Sequence, residues 1–278
     1  MNQAEHPIDP AVRMGIEASL CRIEADFDVR VLYACESGSR GWGFASPDSD
    51  YDVRFIYVHP LPWYLQVSAQ RDVIECPISN DLDIGGWELR KALGLLKKGN
   101  ATLIEWLDSP VVYHADAGFL RAMRDAAWQT HRVERSFHHY LHMASSNYRQ
   151  YLRGDSVRLK KYLYVLRPLL AALWLEQERG VVPMRFQALA GAIVTDPDLR
   201  QAIDELVAIK RTAMESEYGQ TRPVINAFID TQLARLQSLA PPRPNDVDFS
   251  VLDRLLMDCV TQASGLAPRH HPRDHATD

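Results

Sequence analysis

Apolar positions recur along this chain at two different periods, and the change between them divides it into two parts. Residues 10–26 place Val12, Ile16, Leu20 and Ile23 near helical spacing, which predicts an amphipathic helix. The runs 31–35 and 50–58 are short, apolar or alternating, and predict strands. Between them lie a Gly/Ser-rich loop (36–43) and a second loop (44–49). Pro60, Pro62, Trp63 and Tyr64 predict a turn and a short helix. Residues 72–76 and 82–84 predict two further short strands around a turn at Pro77, with Gly85 and Gly86 read as the stop of the second. A helix over 87–98 follows, ending at Gly99. Asn100 is an N-cap for 101–107, and 111–113 is one more extended piece. This alternation predicts an α+β fold whose first domain, residues 1–114, is a small mixed sheet with helices on one face.

From Asp116 the period is helical almost throughout. Helices are predicted over 117–128, 133–153, 157–179, 198–215, 223–239 and 249–263, with breakers at Gly154, Gly180, Pro183, Pro197, Gly219 and around Pro241 to Pro244. They define an α-helical domain over 115–264. Residues 265–278 predict a disordered tail, whose His270, His271 and His275 are read as solvated rather than metal-binding.

Composition narrows the function. The chain of 278 residues is 46% hydrophobic, enough for a sizeable core, and its net charge of −5 argues against a sequence-blind coat for nucleic acid. A local basic patch remains: between Asn147 and Arg167 stand Arg149, Arg153, Arg158, Lys160, Lys161 and Arg167, against the single acid Asp155. The start, MNQAEHPIDP, has no apolar leader, and the most apolar helical stretch, 162–175, is interrupted by Arg167 and Pro168. The expectation is a cytoplasmic protein without a membrane partner. Four cysteines stand far apart with no CxxC spacing, and Cys35 and Cys76 are expected as buried, reduced thiols.

The chemistry concentrates in VLYACESGSRGWGFASPDSDYDVRFIYVH, residues 31–59. Asp50, Asp52 and Arg54 are two residues apart, so on a strand they project to one side. Two neighbouring carboxylates repel unless a cation sits between them. Gly38, Ser39 and Gly41 let backbone N–H groups approach an anion closely. Each piece alone is ordinary turn chemistry; in this order, between two strands, they predict a metal–nucleotide site. A pair of ions for phosphoryl transfer needs a further carboxylate from a neighbouring strand. Asp83 is the best candidate, with Asp81 as its competitor on the same face. An all-oxygen set favours Mg2+, with Mn2+ as the alternative. Ser39 and the adjacent backbone are expected to hold the β- and γ-phosphates of an NTP, with Arg40 adding charge. Arg54 either balances the aspartates or touches the nucleotide. Lys160, Tyr164 and Arg167 fall at i, i+4 and i+7, so Lys160, Lys161 and Arg167 are assigned to the triphosphate. The outer arginines 149, 153 and 158 are assigned to an RNA backbone.

The Gly38-Ser39 … Asp50-x-Asp52 pattern resembles the signature of the DNA polymerase β-like nucleotidyltransferase superfamily. ESGSRGWGFASPDSDYDVRFIYV is similar in wording to the branch of predicted nucleotidyltransferases associated with RNA repair pathways. The resemblance covers about residues 26–183. It implies a carboxylate at Asp83, ahead of Gly-Trp and a Lys-containing helix, and a basic run like that around Lys160 and Lys161. NATLIEWLDSPVVY also matches a family element; within it Glu105 is expected to orient a basic residue of the site, and Trp106 to anchor the two halves. The resemblance implies transfer of NMP from an NTP, ATP first, to an acceptor such as an RNA end. Two alternatives stand beside it: adenylylation of a protein or small-molecule hydroxyl, and a non-catalytic, antitoxin-like nucleotide-binding partner. The intact Asp50 and Asp52 count against the last.

Overall fold

Asp9 starts the first helix, α1 (Pro10–Phe27), by accepting from the N–H groups of Ala11 and Val12, and Pro10 supplies a preset first turn. The computed structural model describes residues 8–265 apart from 80, 155, 213–217, 241, 244 and 245. The predicted tail therefore lies, beyond Gly265, outside the described residues. Ile16, Leu20 and Ile23 of α1 pack on Val31, Val53, Phe55 and Tyr57, one face of a sheet. That sheet is built from β1 (Arg30–Glu36) and β2 (Tyr51–Val58), joined through the one-turn helix α2 (Gly38–Trp42), then α3 (Leu61–Tyr64), β3 (Val73–Glu75) and β4 (Leu82–Glu88). After α4 (Leu89–Lys97) and α5 (Ala101–Leu107), β5 (Val112–Ala115) completes it. The strand order is β3-β4-β2-β1-β5. β2 and β4 run parallel and the other pairs antiparallel, so the sheet is mixed.

Helices cover both faces of this sheet, not one. α1 takes the first. The second carries Leu32, Cys35, Ile56 and Val58, and is closed by α4, α5, α6 (Ala117–Gln129) and α12 (Ser250–Ala263). α6 and α12, grouped by their period with the helical half, thus contribute Phe119, Met123, Leu252 and Leu255 to the core of the sheet. Trp106 is also there, stacked on Trp87 with centroids 4.0 Å apart, in the same cluster as these residues of α6 and α12. β4 runs straight through Gly85 and Gly86, where the composition predicts its end. A Cβ at Gly86 would lie 2.2 Å from the Phe55 ring, so the glycine is there to seat that ring on the neighbouring strand.

The second core gathers α7 (Val133–Tyr151), α8 (Lys160–Glu176), α9 (Phe186–Ile193), α10 (Pro197–Thr212) and α11 (Pro223–Ser238). The predicted helix over 157–179 starts later. Residues 156–158 form β6 (Ser156–Arg158), paired with β7 (Tyr218–Gln220) in a two-stranded sheet. α9 lacked a sequence prediction. Among the described residues no helix is long and apolar enough to cross a membrane. All four cysteines are free; Cys35 is buried and Cys76 half-buried.

Candidate active site

The parallel pairing of β2 with β4 places Asp52 opposite Asp83 in register. Arg54, two residues on and on the same face as Asp52, spans the pair. Its Nη2 donates to Asp83 Oδ2 at 2.6 Å and to Asp52 Oδ1 at 3.2 Å, while Nη1 donates to the carbonyls of Val53 and Asp83. The two carboxylates therefore share one cation in this structure. Gly38 closes the other side. It has φ +56°, and a Cβ there would fall 1.9 Å from Asp52 Oδ2, so any side chain would displace the carboxylate. Behind Asp52 lies Glu36, the fully buried last residue of β1. Its Oε1 accepts from the Asp52 N–H at 2.9 Å, and its Oε2 from the Tyr113 hydroxyl at 2.5 Å. Burial pushes the Glu36 carboxyl up to about 7, against the two hydrogen bonds, which favour its charged form.

Gly38 and Ser39 open α2 rather than a loop; Ser39 is buried and its carbonyl receives the N–H groups of Gly43 and Phe44. Arg40 reaches back over the connection, donating to Ser49 O at 2.6 Å and Asp50 O at 3.2 Å and covering the Tyr51 ring. Asp50 is exposed and stands one residue before β2 begins, not within it. Asp81 lies in a left-handed turn (φ 61°), where its carbonyl receives the Tyr51 N–H, so it serves the start of the strand. Among the described residues no three His, Cys, Asp or Glu side chains are gathered as a metal-binding group. The hard oxygens of Asp52 and Asp83, in register on adjacent strands and with a glycine leaving room at Oδ2, are nonetheless the donor chemistry that Mg2+ takes.

The helical half meets the site through α2. Lys161 lies over the rings of Tyr151 (4.1 Å) and Tyr164 (5.1 Å), and Tyr164 packs edge-on against Trp42. Lys160 is the first residue of α8 and half-buried. Arg167 separates from them. It is buried at 2% exposure, with Nη1 on Glu105 Oε1 at 2.8 Å, Nη2 on Met184 O at 3.2 Å, and its guanidinium over the Trp42 ring. Glu105 also accepts from the Tyr140 hydroxyl (2.6 Å) and from Trp42 Nε1 (3.3 Å). So Glu105 does hold a basic residue, and the pair it forms is internal. Arg149 and Arg153 line a groove of about 500 Å³ between α7 and α11, together with His138, His142 and, from α11, Asp230. Arg158 is apart from them, on β6 against Tyr218.

Two residues that the sequence reading left without a role stand close to the site, Glu36 and Lys210. Glu36 had a usable signal, as an acid closing an apolar strand. Lys210, which donates to Ser46 and Ser49, had none, since a lysine in an amphipathic helix is ordinarily solvated.

Comparison with known proteins gives three findings. Residues 12–258 match the model of the RNA repair pathway DNA polymerase beta family. The chain is 43% identical over 253 residues to the uncharacterized protein YcgL of Bacillus subtilis (strain 168), covering 90% of this chain and 97% of that one. A solved nucleotidyltransferase-like protein from Exiguobacterium sibiricum aligns over 90% of this chain and 77% of its own, at 12% identity and a TM-score of 0.30.

Proposed function

Because the chain belongs to the RNA repair pathway DNA polymerase beta family, we propose that it transfers NMP from an NTP, ATP first among them, to an acceptor that is an RNA end. The observation that carries this reading is the register of Asp52 with Asp83 beside a glycine that leaves no space for a side chain. In this reading Mg2+, or Mn2+, would be held by Asp52 and Asp83, and Asp50 would join them from the residue before β2 when the ion binds. Such an ion stabilises charge on the attacking and leaving oxygens at the α-phosphate. The chain's own residues bind and orient. Backbone N–H groups at Gly38 and Ser39 take the β- and γ-phosphates, and Lys160 and Lys161 add positive charge from the helical side. Arg54 neutralises the aspartates before the nucleotide arrives. Arg40 and Arg167 act at one remove, Arg40 by strapping residues 49–50 and Arg167 by holding Trp42 of α2.

The groove lined by Arg149 and Arg153 supports RNA as the acceptor, since it joins two arginines and two histidines against the single acid Asp230. The test is to incubate the protein with each α-labelled NTP and Mg2+, with and without RNA bearing a free 3′ hydroxyl. The expected result is label from ATP on the RNA. Label on the protein or on a small molecule would replace the acceptor, and no transfer from any NTP would overturn the reading.

A further inference from the structure

Lys210 lies outside every motif described above, yet it is only 4% exposed. Its Nζ donates to Ser46 Oγ at 2.6 Å and Ser49 Oγ at 3.2 Å. Those hydroxyls are 2.9 Å apart and buried. Ser49 Oγ also accepts from the Ser46 N–H, and the Ser49 N–H donates to Ser46 O. The next residue, Arg211, donates from Nη2 to Gly43 O at 3.0 Å. Two consecutive cations near the end of α10 thus grip the connection 43–49 at both ends. That connection delivers Asp50 and the start of β2, and Arg40 fastens its far side through Ser49 O.

An ammonium offers donors and no acceptor, so the serine hydroxyls must turn their lone pairs toward it, which fixes both rotors. Withdrawing that ammonium from water costs several kcal/mol before its hydrogen bonds are counted, and an apolar side chain could fill such space without the cost. A buried charge at this point is therefore a poor way to gain stability. It is a good way to define the geometry of a short polar loop.

We propose that Lys210 is a positioning residue for nucleotidyl transfer: through Ser46 and Ser49 it sets the loop that presents Asp50 beside Asp52, so the carboxylate geometry of the sheet depends on the helical half. This rests on the nucleotidyl-transfer reading, and the test keeps the two separable. Lys210→Met, Ser46→Ala/Ser49→Ala and the triple variant are compared in the full chain by amide hydrogen exchange and by transfer from α-labelled ATP. Lys210→Met speeds exchange at Ser49 and Tyr51 by about tenfold or more, while amides of α6 and α12 keep their rates. Its kcat falls about 100-fold, as a displaced reacting group requires, and KM for ATP changes less than about threefold. The double serine variant reproduces both effects, and adding Lys210→Met to it changes less than the same substitution does in the wild type, because the three residues share the Ser46–Ser49 contact. Unchanged exchange in Lys210→Met, or an undiminished effect of it in the serine background, overturns the proposal. If Lys210→Met fails to fold, the double serine variant decides alone: its loop must loosen within an intact fold. Absence of transfer by the wild type would remove the nucleotidyl-transfer reading, while exchange still reports whether Lys210 holds the loop.

Discussion

Two charge clusters flank α2, and they are built differently. On the sheet side Arg54, Asp52 and Asp83 have side chains 23%, 28% and 34% exposed. On the helical side Arg167 and Glu105 are 3% and 9% exposed, and Tyr140, Trp42 and Met184 complete their hydrogen bonds. Water reaches the first cluster, so its attraction is screened and its members can change partners when a ligand arrives. The second has no such freedom, since parting the pair strands a charge in the core. α2 joins the two, with Gly38 against Asp52 and Trp42 under Arg167. In the proposed reading the exchangeable charges carry the chemistry, and the sealed ones hold the element that presents it.

The largest expected effect breaks the sealed cluster. Arg167→Met leaves Glu105 buried without its cation and should cost about 3–5 kcal/mol of stability in urea unfolding. Adding Glu105→Leu should recover part of this, leaving the Tyr140 hydroxyl without its acceptor. A loss below about 1 kcal/mol for Arg167→Met would remove the contrast, because that is what an exposed pair costs.

The open cluster should respond in the opposite sense. Asp52→Ala leaves Arg54 paired with Asp83, so the unfolding free energy should move by less than about 1 kcal/mol. Transfer of label should fall at least about 100-fold, the usual scale for losing a group that stabilises developing charge. Wild-type transfer by Asp52→Ala would take the chemistry away from this end of the sheet.

How far the sequence reveals all this depends on whether a residue's partner is near in the chain. Gly38, Ser39, Asp50 and Asp52 lie within fifteen residues of one another between two apolar runs, and their order reads directly. Asp83 reads nearly as well, because a short apolar strand ahead of a helix has few places in a small sheet. Arg167 does not. Spacing puts it on one face with Lys160, but α8 is buried nearly all round, so that face has no solvent side at Arg167. Gly85-Gly86 has the composition of a turn and the structure of a strand, because the reason for Gly86 is Phe55, thirty-one residues earlier. Lys210 is the extreme case, with Ser46 and Ser49 more than 160 residues away.

Glu36 sharpens the comparison, because it is sealed like the second cluster and belongs to the first. It is fully buried, with its oxygens taken by the Asp52 N–H and the Tyr113 hydroxyl, and burial raises it from 4.5 to about 7. Between these values the unfolded chain has lost the proton and the folded chain still keeps it. More protons bound in the folded state means that stability falls as pH rises. The decline should begin near pH 4.5 and level off above about 7, with an amplitude on the order of 1–3 kcal/mol. Glu36→Gln keeps an acceptor for the Asp52 N–H and cannot ionise, so it should lack that decline. Urea midpoints of both proteins at pH 5, 6, 7 and 8, in a chelator to keep Asp52 free of metal, make the measurement. The variant should gain on the wild type with each step from 5 to 7 and run parallel to it thereafter. Parallel profiles over the whole range would mean that Glu36 is charged throughout and stabilised by its two donors, which would place it with the exchangeable charges of the sheet rather than with the sealed ones.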